Sequence, residues 1–387
     1  MMALRNGFFR MGVVRARLRG FGGIGAVALL GVGLAGCTPR GSIDIYPDSA
    51  EVGSVQRILV SSLREPVAGS AVLSGARAAA PGFYDFAVSV PPERDLGTVQ
   101  FSRRSPPDPI TDFATVSASR LPDAAAFAAQ IDRLLAQGVS PENEVVVFIH
   151  GYNTNFAEGL YRHAQLADDF GSETVSVNFT WASAGSVRGY AFDRESALVA
   201  RDALERTITA VQGTRAKRIV IIAHSMGAQL AMETLRQMAI RDTQPGFANL
   251  TSVVLVAPDL DIDVFLTQAR PVAEKDIPIY VFASSRDRAL RLSAILRGGN
   301  SQRLGMVRDA STLGDLPVAV IDTSDFEANG DPLQHFKAAS SPTMIALLSG
   351  SGTAGLEALA QADARPGLLQ NSVEILQDAA NAVLGGG

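Results

Sequence analysis

The run IVIIAHSMGA, residues 219–228, changes character at its midpoint. Residues 219–222 are wholly apolar and read as a buried strand. The run then breaks, and a helix follows whose inner face carries Ala231, Leu235 and Met238 at helical spacing. A strand, a sharp turn and a helix, with Ser225 at the apex, is the plan of a nucleophile elbow, G-x-S-x-G. The flanking positions must be small, because the serine backbone is strained and the helix packs close to the strand. Here they are Ala223 and Gly227, and alanine adds only one methyl. At the start of a helix, the Ser225 hydroxyl lies near free backbone N–H groups and the positive end of the helix dipole. The competing reading is a serine that merely caps the helix.

Outward from this run the pattern repeats. Apolar strands are expected at 145–149, 174–180, 252–256, 277–283 and 318–321, with helices at 156–170 and 191–211 between them. Short apolar strands alternating with helices specify an α/β fold, a mainly parallel sheet with helices on both faces. Upstream, strands are expected at 55–62 and 83–90, a short one at 98–101, and a helix over 124–137 closed by Gly138. The Ala-, Gly- and Ser-rich segment 63–82 reads as loop, and proline-rich 103–112 as irregular. Ligands gather outside the carboxyl ends of such sheets. Those ends carry His150 and Gly151, Trp181, Ser225, Asp259 and Asp287.

A serine alcohol is a weak nucleophile and needs a base, itself oriented by a third group. Of four histidines, His163 falls within a helix and reads as a surface residue. His224 precedes the nucleophile and points elsewhere, and His150 supports its turn. His335, in the loop after the last strand, is the candidate base. Asp287, Asp259 and Asp322 all close strands and satisfy the order Ser, Asp, His. Asp287 is favoured because the acid usually lies one strand before the histidine loop. Asp259 is the alternative acid, unless it only caps the following helix. The oxyanion hole needs two backbone donors. The N–H groups of Met226 and of Tyr152, which follows Gly151, fit. His150, Gly151, Trp181 and Tyr190 are candidate pocket residues.

The 387 residues accommodate one large α/β domain plus decoration. No C-x-x-C pair or H-E-x-x-H occurs, so neither a metal nor another cofactor is expected. Residues 1–36 read as a signal peptide: five arginines precede an apolar, Gly-rich run that ends Leu34, Ala35, Gly36, Cys37. That ending resembles a bacterial lipobox, so Cys37 is the expected lipidation site. Thr38, rather than Asp, then implies an outer-membrane lipoprotein of the cell envelope. Without residues 1–36 the chain keeps 29 Lys and Arg against 39 Asp and Glu, and nucleic-acid binding is not expected. Residues 37–54 read as a tether, 55–348 as the hydrolase domain and 349–387 as a tail, with an amphipathic helix over 368–384.

Several pieces together resemble a bacterial α/β-hydrolase family of unknown function, esterase/lipase-like in sequence. They are Phe148 to Asn153, Asn178 to Gly185, Tyr190 with Asp193, Ala223 to Gly227, Ala257 to Asp259, Ser285 to Asp287, and His335. Ala182 stands where the family suggests proline and Arg94 where it suggests histidine. The resemblance implies the α/β-hydrolase fold and a Ser225, Asp287, His335 triad. The expected activity is hydrolysis of a carboxylic ester, of a small molecule or a lipid, with the membrane met through the anchor on Cys37. The alternatives are an amidase, a thioesterase, or a non-catalytic envelope lipoprotein that uses the fold for binding.

Overall fold

A computed structural model describes residues 40–171, 173–241, 246–299, 302–308 and 310–349. The expectations for residues 1–36, Cys37 and the tail beyond 349 lie outside these residues. The strands are β1 (Ser54–Pro66), β2 (Leu73–Val90), β3 (Ala114–Leu121), β4 (Glu144–Ile149) and β5 (Val175–Thr180), followed by β6 (Arg218–His224), β7 (Leu250–Val256), β8 (Ile279–Ala283) and β9 (Val318–Asp322). The helices are α1 (Ala124–Ala136), α2 (Phe156–Asp169), α3 (Tyr190–Gln212), α4 (Met226–Arg241), α5 (Ile262–Ala273), α6 (Arg288–Leu296), α7 (Lys337–Ser340) and α8 (Pro342–Leu348).

The strands form one nine-stranded sheet in the order β3-β2-β1-β5-β4-β6-β7-β8-β9. Pairings of β1 with β2 and of β2 with β3 are antiparallel, and all others are parallel. From β4 the chain passes to β5 on one side, whereas β6 lies on the other. The order therefore reverses at β4, and a crevice opens outside its carboxyl end.

Alternation along the strands divides the core. Val145, Val147 and Ile149 of β4 and Ile219 and Ile221 of β6 pack with Phe127 of α1, Leu204 of α3, Leu235 of α4 and Phe265 of α5. Phe148, Val220 and Val254 face the other way, into a cluster with Leu166 of α2, Phe336 and Met344 of α8. Each such side chain contributes about 1.5–3 kcal/mol on burial. Both faces of the parallel part are covered, as its apolar strands require.

The N-terminal part departs from expectation. Residues 73–82, expected as loop, extend β2, because their small residues pair with a long, bulged β1. β3 is an additional strand, whereas residues 98–101 form none. Residues 40–53, expected as a tether, lie against the sheet. Ile43 is buried, Ile45 bridges to Thr115, and Tyr46 N–H donates to Thr115 O at 2.8 Å.

Candidate active site

Ser225 occupies the turn between β6 and α4 with φ of +53°, a left-handed conformation costly for a residue with a Cβ. The strain is held by neighbours. Ser225 N–H donates to Val256 O at 3.0 Å, and Ser225 O accepts from the N–H groups of Asp259 and Ala228, each at 3.1 Å. The small-residue rule has a steric cause here. A Cβ at Gly227 would lie 2.4 Å from His150 O, and one at Gly151 would lie 2.8 Å from Ser225 Cβ. Ala223 is wholly buried, so one methyl fits where the motif has glycine.

Asp287 caps α6. Its Oδ1 accepts Leu290 N–H at 2.8 Å, and its Oδ2 lies 2.7 Å from His335 Nδ1. The carboxylate only accepts, so Nδ1 carries the proton and Nε2 keeps its lone pair. Burial opposes a charged His335, but Asp287, with Asp331 and Asp259 beyond, outweighs it, so the pKa lies above the usual 6.5. His335 reaches the nucleophile turn through His224, whose ring is 4.8 Å from its own. Ser225 Oγ makes no hydrogen bond to His335 among the described residues. Such contacts commonly tighten only with substrate bound.

The oxyanion candidates lie on adjoining segments. Met226 N–H opens α4, where first-turn N–H groups have no intrahelical acceptor. Tyr152 N–H has no acceptor among the described residues. The Tyr152 loop is held from below by Arg64, which sequence reasoning missed, and by Asp193, which it named only within the family resemblance. Arg64, buried on β1, donates to Thr154 O at 2.8 Å, Ser183 O at 3.0 Å and Thr180 Oγ1 at 2.7 Å. Burial lowers its pKa to about 9, against the pull of Asp193 and Glu158. Asp193, fully buried on α3, accepts from Asn153 N–H at 3.1 Å, Ala184 N–H at 2.7 Å and Ser183 Oγ at 2.6 Å. Asp193 could be picked out in sequence only with Tyr190. Arg64 gave no signal, because its partners in the Tyr152 and Trp181 loops lie far away in sequence.

The remaining candidates separate. His150 is buried, and its Nε2 receives Trp181 N–H at 3.2 Å and Arg64 Nη2 at 3.3 Å. Both groups donate, so its proton is on Nδ1, 2.9 Å from Gly151 O. Burial, then Arg64, lowers its pKa to about 3, and it supports its turn as expected. Trp181 is fully buried, stacked on His150, and donates from Nε1 to His150 O at 2.8 Å, so it packs the core. His163, expected at the surface, is 2% exposed against Phe148. The α2 face that bears it is turned to the sheet. Asp259 is engaged away from His335. Its Oδ2 accepts Tyr190 OH at 3.1 Å and its Oδ1 accepts Ser293 Oγ at 2.6 Å. Asp322 is an N-cap-like turn acceptor for Ser324 N–H at 2.8 Å.

A cavity of about 650 Å³ runs along the sheet face under α2 and α7, from Glu144 and Arg218 at the amino ends of β4 and β6 to Val256 and Phe282 near the carboxyl ends of β7 and β8. Ser225, Asp287 and His335 are not among its lining residues, so this cavity is not the candidate site. Among the described residues, no group of three His, Cys, Asp or Glu is placed to hold a metal ion.

A sheet that reverses at β4, with a strained serine at the next strand end and a His–Asp pair beside it, defines an α/β hydrolase. The chain belongs to the family described as alpha/beta hydrolase of unknown function (DUF900), which matches residues 124–351. A comparison with curated proteins finds no match. Among solved structures, it is similar to a lipase-esterase related protein from Clostridium acetobutylicum ATCC 824, at 10% identity over 56% of this chain and 93% of that one, TM-score 0.28. It is also similar to an esterase from the hyperthermophilic archaeon Pyrobaculum calidifontis, at 14% identity over 63% and 92%, TM-score 0.28.

Proposed function

We propose that the protein is a serine esterase of the cell envelope, acting through an acyl-enzyme. The observation that carries this reading is the 2.7 Å bond from His335 Nδ1 to Asp287, beside a serine held at positive φ. Ser225 Oγ attacks the ester carbonyl while His335 Nε2 takes its proton. Asp287 stabilises the imidazolium that forms. The N–H groups of Tyr152 and Met226 receive the negative charge that develops on the carbonyl oxygen. His335 then returns the proton to the leaving alcohol. Water, deprotonated by the same nitrogen, attacks the acyl carbon; the bond to Ser225 Oγ breaks, His335 returns the proton to that oxygen, and the carboxylic acid leaves. An ester is favoured over an amide because an alcohol leaves more readily than an amine. The lipobox-like ending at Cys37 supports attachment to the outer membrane through a lipid.

Hydrolysis of para-nitrophenyl butyrate tests the chemistry. The chain from residue 38 turns it over, and Ser225→Ala lowers kcat by about 10³-fold or more. Equal rates in the two proteins would refute it. Radiolabelled palmitate incorporated in cells and lost in Cys37→Ser tests the anchor.

A further inference from the structure

Beside the nucleophile turn lies a group of charges that the ester chemistry does not use. Arg303 is 1% exposed, and its Nε, Nη1 and Nη2 are all buried without a hydrogen bond among the described residues. Its nearest counter-charge is Asp259, with Nε 3.5 Å from Oδ1. A second guanidinium, Arg297, places Nη2 3.5 Å from Asp259 Oδ2, and that nitrogen too is buried without a hydrogen bond. The Asp259 oxygens already accept Ser293 Oγ and Tyr190 OH. Two guanidinium ions thus share one carboxylate whose close contacts are taken by neutral hydroxyls. Asp261 adds a second carboxylate near Arg303, yet Arg303 keeps a donor fork with no hydrogen-bond acceptor among the described residues. Leaving buried charged donors unsatisfied is costly.

The group adjoins the proposed chemistry. Asp259 N–H donates to Ser225 O at 3.1 Å. The Tyr190 ring meets the Tyr152 ring edge-on, with centroids 5.1 Å apart. The Arg303 segment is fastened to the turn after β7 by Leu304 N–H to Leu260 O at 2.8 Å and Gly305 N–H to Pro258 O at 3.1 Å. Two parallel N–H donors match the two oxygens of a carboxylate or phosphate.

We propose that Arg303 and Arg297 form an anion subsite beside Ser225, so that the preferred esters carry a carboxylate or phosphate group. The proposal rests on the esterase reading above for its substrate, and on the unfilled Arg303 guanidinium and the free Nη2 of Arg297, whose Nε donates to Tyr190 OH, for the subsite itself. The anionic group is bound and not transformed, so it adds no step to the chemistry.

The test compares mono-para-nitrophenyl succinate with its neutral counterpart, para-nitrophenyl pentanoate, after subtraction of spontaneous hydrolysis. The expected ratio of kcat/KM is about tenfold or more in favour of the succinate ester, the size of a charge-assisted contact. In Arg303→Met it falls to about one, and Arg303→Lys, which keeps the charge without the fork, lies between. A general loss of activity cancels, because each ratio is taken within one variant. A ratio near one in the wild type, or the same ratio in Arg303→Met, would overturn the subsite. Competition by succinate or by inorganic phosphate then separates the two anions. If neither ester is hydrolysed, the esterase reading fails, and the subsite is read alone by thermal unfolding with millimolar succinate or inorganic phosphate. A midpoint that rises with either anion in the wild type and not in Arg303→Met supports it, and no rise with either overturns it.

Discussion

Ser225 at φ of +53° is stable only because its neighbours are small and its backbone is bonded on both sides. Gly227→Ala puts a methyl 2.4 Å from His150 O, a backbone atom that cannot move without shifting β4. The expected loss is about 1–3 kcal/mol, read as a lower urea midpoint, with activity falling further as the turn distorts. Asp287 fixes both the tautomer and the charge of His335. Asp287→Asn leaves the fold intact and lowers kcat by about 10²–10⁴-fold. Asp259→Asn has a smaller effect on kcat, because Asp259 bonds Tyr190 and Ser293 rather than His335. If Asp259→Asn were the more damaging, the acid would be misassigned. His335 must be neutral to accept a proton, and Asp287, overcoming burial, holds its pKa above 6.5. The acid limb of kcat/KM therefore lies above that value and moves down in Asp287→Asn, as a pH–rate profile would show.

The loop that carries Tyr152 is positioned by elements far from it in sequence. Arg64 comes from β1 and Asp193 from α3, and together they clamp residues 153–154 and 183–184. Asp193→Asn is expected to lower kcat by about tenfold with a smaller change in KM, because the oxyanion donor shifts more than the substrate contacts do. An equal rise in KM with unchanged kcat would place Asp193 in substrate binding instead. The parallel strands were legible in the sequence because both their faces are buried, which leaves unbroken apolar runs such as residues 145–149. The placement of Ser225 and Asp287 just past the runs that form β6 and β8 was legible for the same reason. The first half of β2 was not legible, because Ala and Gly residues pair there without an apolar alternation to announce it. His163 was misjudged because α2 is buried almost all round, including Gln165 and Asp169. Strand position favoured Asp287 over Asp259, and the contact of Asp287 with His335 is visible only in three dimensions.

Over the whole molecule, residues 40–53 belong to the packed body. A chain beginning at residue 55 loses the buried Ile43 and the bond from Tyr46 to Thr115. It should unfold about 2–4 kcal/mol more easily than one beginning at residue 38, and equal urea midpoints would show those residues to be a loose tether. Stability also depends on pH through buried rings. Burial lowers the pKa of His163 to about 3, and burial followed by Arg64 does the same for His150. Below pH about 6.5 the unfolded chain binds protons that these rings refuse, so each removes about 1.4 kcal/mol per pH unit as pH falls toward 3. Replacing His163 by Phe should flatten that loss in urea titrations at about pH 5 and about pH 7. His335 has the opposite sign, adding stability at low pH that fades as pH rises through its native pKa. The central claim is an activated Ser225. The most direct measurement is labelling of the chain from residue 38 with a fluorophosphonate, with mass mapping of the adduct and Ser225→Ala as control. The account predicts a single adduct on Ser225, slowed by Asp287→Asn and absent in Ser225→Ala. A folded protein that takes no label, or takes it at another residue, would contradict it.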